Sequence, residues 1–246
     1  TSTTTTTTTT EAPTSTTTTT RRPRTTRRPF VRSTTSTTTT TTESPTTTTT
    51  EIPPSSTTQA HRTIDDDNGC QVDVLLIVDS SGSVHDTYET QKTFLASILE
   101  EIDVSTNSHR VALIQFAGQN LQKIEWTFDE MQANEQLMKA FGRIRHFTGT
   151  TYIGAALHAA RKMLENKRKG VKTLVVLLSD GYSHDDTSID ADEIRALSDV
   201  EVFAVSVARF TNNGELKKIT GDESKVFVGK EAEFMREILI NKLRCA

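Results

Sequence analysis

VDVLLIVDSSGSVHD, residues 72–86, decides how the rest of the chain is read. Its first seven residues are an almost unbroken run of β-branched and leucine side chains. That is the pattern of a central parallel strand covered on both faces. The run stops at Asp79, and Ser80, Ser81, Gly82 and Ser83 follow. A buried strand has no use for so much hydroxyl at its exit. Asp79, Ser81 and Ser83 alternate, so one turn can aim all three inward, with Gly82 permitting a tight backbone path between them. A carboxylate with hydroxyls suggests a hard cation. The same serines also suit a helix N-terminus, with Ser83 or Asp86 accepting from free amides. Taken one serine at a time, the cap is the simpler account.

Beyond this stretch, apolar runs alternate with amphipathic ones. RVALIQFAG (110–118), VKTLVVLLS (171–179) and VEVFAVSVA (200–208) read as buried strands, LQKIEWTF (121–128) as an edge strand, and KVFVG (225–229) as a short one. The spacing predicts helices over 86–102, 134–146, 153–166, 190–198, 214–219 and 231–243. The fourth is expected to start at Asp190, with Glu193 as its capping-box partner. The last is expected to bury Phe234, Ile238 and Leu239 on one stripe, with Met235 beside it. Phe116 and Trp126 read as packing residues. Strand and helix in alternation give an α/β fold: a doubly wound, mostly parallel central sheet flanked by helices. Ligands of such sheets bind beyond the carboxyl ends of the strands, where the strand order reverses. Asp79 ends one strand, and Ser179, Asp180 and Gly181 end another.

Residues 1–58 are a different kind of chain, rich in threonine with serine and proline and almost no large apolar side chains. Such a composition cannot offset the cost of ordering its backbone and reads as disordered. Its TTTTT runs with interspersed prolines suit a mucin-like, O-glycosylated stalk, which implies the secretory pathway. Residues 59–69 read as a linker and 70–246 as the folded domain. The tail carries six arginines and three glutamates, a charge of +3 against −4 for the whole chain, so the rest is near −7. That balance argues against nucleic acid as a partner. The apolar runs are of strand length, short of the roughly 20 residues of a spanning helix. A chain opening on TSTTT reads as a piece of something larger. The two cysteines, Cys70 and Cys245, bracket the domain. Given a secreted stalk, they are expected to form a disulfide, whose loop closure contributes on the order of 4–5 kcal/mol in the chain-entropy model.

Two further segments supply oxygens that the first lacks. TGTTYIGAAL (148–157) puts Thr150 and Thr151 in a loop before a helix, and LLSDGYS (177–183) offers Asp180. Two carboxylates and three hydroxyls make an octahedral oxygen site suited to Mg²⁺. So few acids leave the ion electrophilic, ready for a carboxylate from outside.

DSSGS (79–83), GTTYIGAAL (149–157) and SDG (179–181) together resemble the von Willebrand factor type A domain with its metal-ion-dependent adhesion site. The resemblance covers roughly residues 70–245, and the flanking cysteines resemble the extracellular-matrix branch. It implies a metal held by Asp79, Ser81, Ser83, Thr151 and Asp180, with Thr150 the near alternative because the usual double glycine is here Gly149-Thr150. The ion would be Mg²⁺, Mn²⁺ or Ca²⁺. The implied function is adhesion rather than catalysis: an extracellular protein partner, typically a collagen or another matrix protein, presents a Glu or Asp carboxylate to the ion. His85, Tyr152, Tyr182, His184, Asp185 and Asp186 lie in the surrounding loops as candidates for specificity. The plainer reading makes 184–186 a solvated loop and Tyr152 a packing residue. In some family members the last helix slides to change affinity; a Cys70–Cys245 bridge would restrain it here.

Rival readings fare less well. A magnesium phosphohydrolase of the haloacid-dehalogenase kind needs an acid two residues after its nucleophile, where this chain has Ser81. No G-x-S-x-G elbow occurs, and only Gly82 stands in the turn after the first strand, too little for a dinucleotide fingerprint. A structural spacer or self-assembly module with a stabilising ion remains the main alternative.

Overall fold

The computed structural model describes residues 70–105 and 107–244. The expected stalk, the linker and Cys245 lie outside the described residues. Six strands, β1 (Val72–Asp79), β2 (Arg110–Phe116), β3 (Gln122–Trp126), β4 (Lys172–Leu178), β5 (Val200–Ser206) and β6 (Val226–Val228), form one sheet in the order β3-β2-β1-β4-β5-β6. All neighbours pair in parallel except β2 and β3, which are antiparallel. The β3 edge follows from its less apolar sequence, which leaves its middle exposed.

Side chains alternate across β1, and each face receives its own layer. Val72, Val74, Leu76 and Val78 pack against α1 (Tyr88–Leu99), α2 (Asn134–Phe141) and α6 (Ala232–Leu243). Leu75 and Ile77 pack against α3 (Ile153–Leu164), α4 (Ser188–Arg195) and α5 (Asn213–Thr220). Asp73 and Asp79 share the second face, one at each end of the strand. Asp73 is fully buried beneath two guanidinium groups: Arg110 from β2 donates to it from Nε (3.0 Å) and Nη2 (2.6 Å), and Arg168 from Nε (2.9 Å). Burial alone would raise its pKa, but the bonds to Arg110 and Arg168 outweigh it and hold the carboxyl below the usual range.

Several predicted boundaries move, each for a local reason. The first helix opens with a 3-10 turn, Gly82–Thr87, before α1 begins. α2 stops at Phe141 rather than 146, and residues 142–147 run on to the sheet's carboxyl end, held there by bonds described below. α4 starts at Ser188, two residues before Asp190, because Asp186 accepts from the Ser188 amide (3.0 Å) and closes the turn. Asp190 and Glu193 therefore form no capping box; both pair with Arg161 of α3, at 2.8 and 2.9 Å. On α6 the buried stripe is Ala232, Met235, Leu239 and Leu243, and Phe234 is exposed. Phe116 and Trp126 are buried as expected. Among the described residues no helix is long and apolar enough to cross a membrane.

Candidate metal centre

The strand order reverses at β1, between β2 and β4. The carboxyl ends of β1 and β4 therefore open the crevice where this fold places ligands. Asp79 sits there with no exposed surface. Its Oδ1 accepts from the Ser81 amide at 2.8 Å, and its Oδ2 accepts from the Ser179 hydroxyl at 2.6 Å. Burial, helped by the nearby Asp180 charge and opposed by those bonds, pushes its pKa up to about 6.

The hydroxyls gather in front of it. Ser81 Oγ lies 3.0 Å from Ser83 Oγ, and Ser83 Oγ lies 3.5 Å from Thr151 Oγ1 across 68 positions of sequence. Ser81 and Thr151 are buried and Ser83 is exposed, so the cluster opens to solvent on one side. Thr150 is exposed with its hydroxyl toward Gly118, so Thr151 is the threonine brought to Ser83. Asp180, also buried, accepts from the Tyr182 amide (3.0 Å) through Oδ1. Gly181 turns the chain at φ +81°, where a Cβ would stand 2.8 Å from the Asn212 carbonyl.

This donor set fits a hard cation. Among the described residues no three His, Cys, Asp or Glu side chains cluster to hold a metal. A cation here must therefore lean on hydroxyl oxygens: those of Ser81, Ser83 and Thr151 bond one another, and the Ser81 hydroxyl also bonds Asp79. Each hydroxyl oxygen has two lone pairs, so acceptor capacity is left over for an ion, with two buried carboxylates behind them.

The three loops are pinned by residues that the sequence does not single out. Gln115 Nε2 on β2 lies within hydrogen-bond reach of Ser80 Oγ (2.6 Å), Tyr88 Oη (3.0 Å) and the Arg145 carbonyl (2.6 Å), three partners for two N–H donors. Ser80 Oγ in turn accepts from the Phe147 amide at 2.7 Å, so Ser80 faces the scaffold while Ser81 and Ser83 face the cluster. His146 Nε2 lies 3.0 Å from the Ser81 carbonyl, and Gly82 N–H donates to the Gly149 carbonyl at 2.8 Å. Thr148 is held at φ +69°, unusual for a β-branched residue, with its amide donating to the Ser80 carbonyl (2.9 Å). Only Ser179 carried a local signal, as the residue before Asp180. Gln115 and His146 have none, because their roles come from strand pairing and from the path after α2.

Of the loop candidates, His85 and Tyr182 are exposed, and His85 sits 5.2 Å from the His146 ring, centroid to centroid. Tyr152 stacks on His184 at 5.7 Å. The backbone amide and Nδ1 of His184 both donate to the Thr151 carbonyl, each at 3.0 Å, so this side chain braces the threonine loop. Asp185 crosses to the start of α3, where it accepts from the amides of Gly154 (2.9 Å) and Ala155 (2.7 Å). It is a helix cap supplied from another loop. Gly154 permits that approach, since a Cβ there would lie 2.1 Å from the Asp186 carbonyl.

Comparison with known proteins identifies the family and the fold. Cuticlin-6 of Caenorhabditis elegans is 31% identical over 174 residues, covering 70% of this chain and 30% of that protein. The collagen alpha-5(VI) chain of Mus musculus is 29% identical over 179 residues, covering 70% of this chain and 7% of the collagen. The chain thus spans less than a third of either relative. Among solved structures, proximal thread matrix protein 1 from the mussel byssus, with a zinc-occupied MIDAS motif, superposes with a TM-score of 0.61 at 22% identity, covering 73% of this chain and 46% of that one. Manganese-loaded TRAP protein of Plasmodium vivax gives 0.59 at 19%, covering 71% and 73%. Residues 73–240, well over half of the sequence, match the von Willebrand factor type A domain, and the chain belongs to that family.

Proposed function

We propose that this chain is an extracellular adhesion or matrix-interaction module that captures a carboxylate of a protein partner through a divalent cation. Ser81, Ser83 and Thr151 would hold the ion through their hydroxyls, with Asp79 and Asp180 bound directly or through water. When bound, the ion supplies an electrophilic corner for a Glu or Asp side chain from outside. The observation that carries the reading is the meeting of Ser81, Ser83 and Thr151 hydroxyls in front of two buried carboxylates. Relatives among collagens and cuticlins, and metal-occupied sites in proteins of the same fold, support a matrix role and a divalent ion. The site is proposed as non-catalytic, since Ser81 stands where a phosphohydrolase would need an acid.

The test is a titration of the chain with Mg²⁺ and Mn²⁺ followed by calorimetry, together with capture of extracellular-matrix proteins with and without chelator. Saturable ion binding that Ser83→Ala weakens, and capture that chelator releases, are expected. Capture unchanged by chelator and by Ser83→Ala would overturn the reading. An ion that is bound, whose removal unfolds the domain without touching capture, would favour the spacer alternative.

A further inference from the structure

The segment that pins the site is basic. Between α2 and the threonine loop the chain reads GRIRHF (142–147), with no acidic residue from Gln136 to Phe147. Arg143 and Arg145 are exposed, and among the described residues neither side chain has an ion pair, hydrogen bond or ring contact. Their backbone is not free. Gln115 holds the Arg145 carbonyl at 2.6 Å, Lys92 Nζ donates to the Ile144 carbonyl at 3.2 Å, and His146 and Phe147 bond directly to Ser81 and Ser80. Two uncompensated guanidinium groups thus stand on a rigid shelf next to the serine loop. Lys139 needs no such account, since a cation in the last turn of α2 suits the helix's own carbonyls. The acidic residues on the facing turn and helix, Asp86 and Glu89, are exposed and make no ion pair to either arginine.

We infer that the basic shelf of Arg143 and Arg145 selects a partner in which the metal-binding carboxylate lies within an acidic protein segment, further Glu or Asp side chains meeting the two guanidinium groups. This deepens the proposed function and rests on it. The chain beyond residue 58 is near −7 overall. A long polysulfate would be repelled along most of its length, whereas a short acidic segment keeps its charge beside the shelf. Arginine's planar fork also suits carboxylates, and unpaired arginines forgo nothing on meeting them. In an extended segment, side chains two residues apart share a face about 7 Å apart, so flanking acids at alternate positions reach past the ion.

Three probes on the full chain in millimolar Mg²⁺ test this: a Gly/Ser peptide with one central Glu, the same peptide with four further Glu at alternate positions, and heparin. The variants are Arg143→Glu/Arg145→Glu and, as a charge-matched control at the far end of α3 and its following turn, Lys162→Glu/Lys169→Glu. The extra glutamates are expected to tighten binding about three- to tenfold at low salt, the scale of two exposed charge pairs. The gain should vanish in the arginine variant, persist in the control, and shrink as salt shortens the screening length. The inference is overturned if the gain survives Arg143→Glu/Arg145→Glu, if the lysine control loses it equally, or if heparin binds through the shelf more tightly than the acidic peptide. Chelator-sensitive binding of the single-Glu peptide with no gain from added glutamates sinks this inference alone. Chelator-insensitive binding of that peptide, or no binding of either peptide, sinks the proposed function with it.

Discussion

At the scale of single residues, burying Asp79 as a carboxylate costs the fold stability in the absence of an ion. Its folded pKa of about 6 lies above its ordinary 3.8, so the native state binds the proton first as pH falls. The penalty is therefore present in full above pH 6 and is relieved between 6 and 3.8. Asn has the same shape and no charge to desolvate. Asp79→Asn is expected to raise the metal-free unfolding free energy from urea denaturation at pH 7 by on the order of 1–3 kcal/mol, while abolishing ion binding. A variant that loses stability and ion binding together would make Asp79 a scaffold residue instead. Ser83→Ala removes an exposed hydroxyl with no scaffold bond, and should lower ion affinity tenfold or more with stability unchanged within about 0.5 kcal/mol. Asp79, Ser81, Ser83, Thr151 and Asp180 were legible because each closes or follows a recognisable motif. His146 and Gln115 were not, because nothing local marks a side chain whose partner lies tens of positions away.

At the scale of elements, the loop after β4 matters more than its solvated appearance in sequence suggested. Asp185 replaces the missing cap of α3, whose own N-cap residue, Tyr152, offers no side-chain bond. His184 holds the Thr151 carbonyl in the same stroke. Asp185→Ala is expected to cost about 1–2 kcal/mol in urea denaturation, the usual range for a lost cap, and to weaken the ion as Thr151 loosens. Equal ion affinity in the variant would separate the cap from the site. Element types and the alternation of strand and helix could be read from periodicity, since buried strands and amphipathic helices leave repeats of their own. Boundaries could not. α4 starts where Asp186 closes a turn, and Asp190 is drawn to Arg161 on a helix distant in sequence. Phe234 matched the period of α6, yet the helix turns Met235 and Leu239 inward instead.

At the scale of the whole molecule, the end of the sheet opposite the site acts as a clasp. Cys70 is disulfide-bonded, and its Sγ lies 2.9 Å from the Leu243 carbonyl at the end of α6; its expected partner, Cys245, lies outside the described residues. His109 accepts from the Val72 amide through Nδ1 (3.2 Å) and hydrogen-bonds the Leu243 carbonyl, an arrangement only the neutral ring can make. Burial lowers its pKa, with Arg168 adding to the shift and Asp103 opposing it. A lowered folded pKa means that the unfolded chain binds the proton first, so His109 contributes stability above about pH 6.5 that is lost as pH falls. His109→Gln keeps an acceptor and a donor without titrating, and should flatten the stability change between pH 7 and 5; an unchanged slope would assign that change to other groups. None of this clasp but the cysteines could be read from the sequence, because Asp73, Arg110, Arg168 and His109 become neighbours only once the strands pair. Under the proposed function, the sheet brings three loops to one cation. Diffraction from crystals grown in Mn²⁺, with anomalous scattering, tests that most directly. The account expects a single strong peak about 2.0–2.2 Å from Ser81 Oγ and Ser83 Oγ, with Thr151 and Asp180 around it. No peak there at saturating Mn²⁺, with the three hydroxyls turned to other partners, would contradict it.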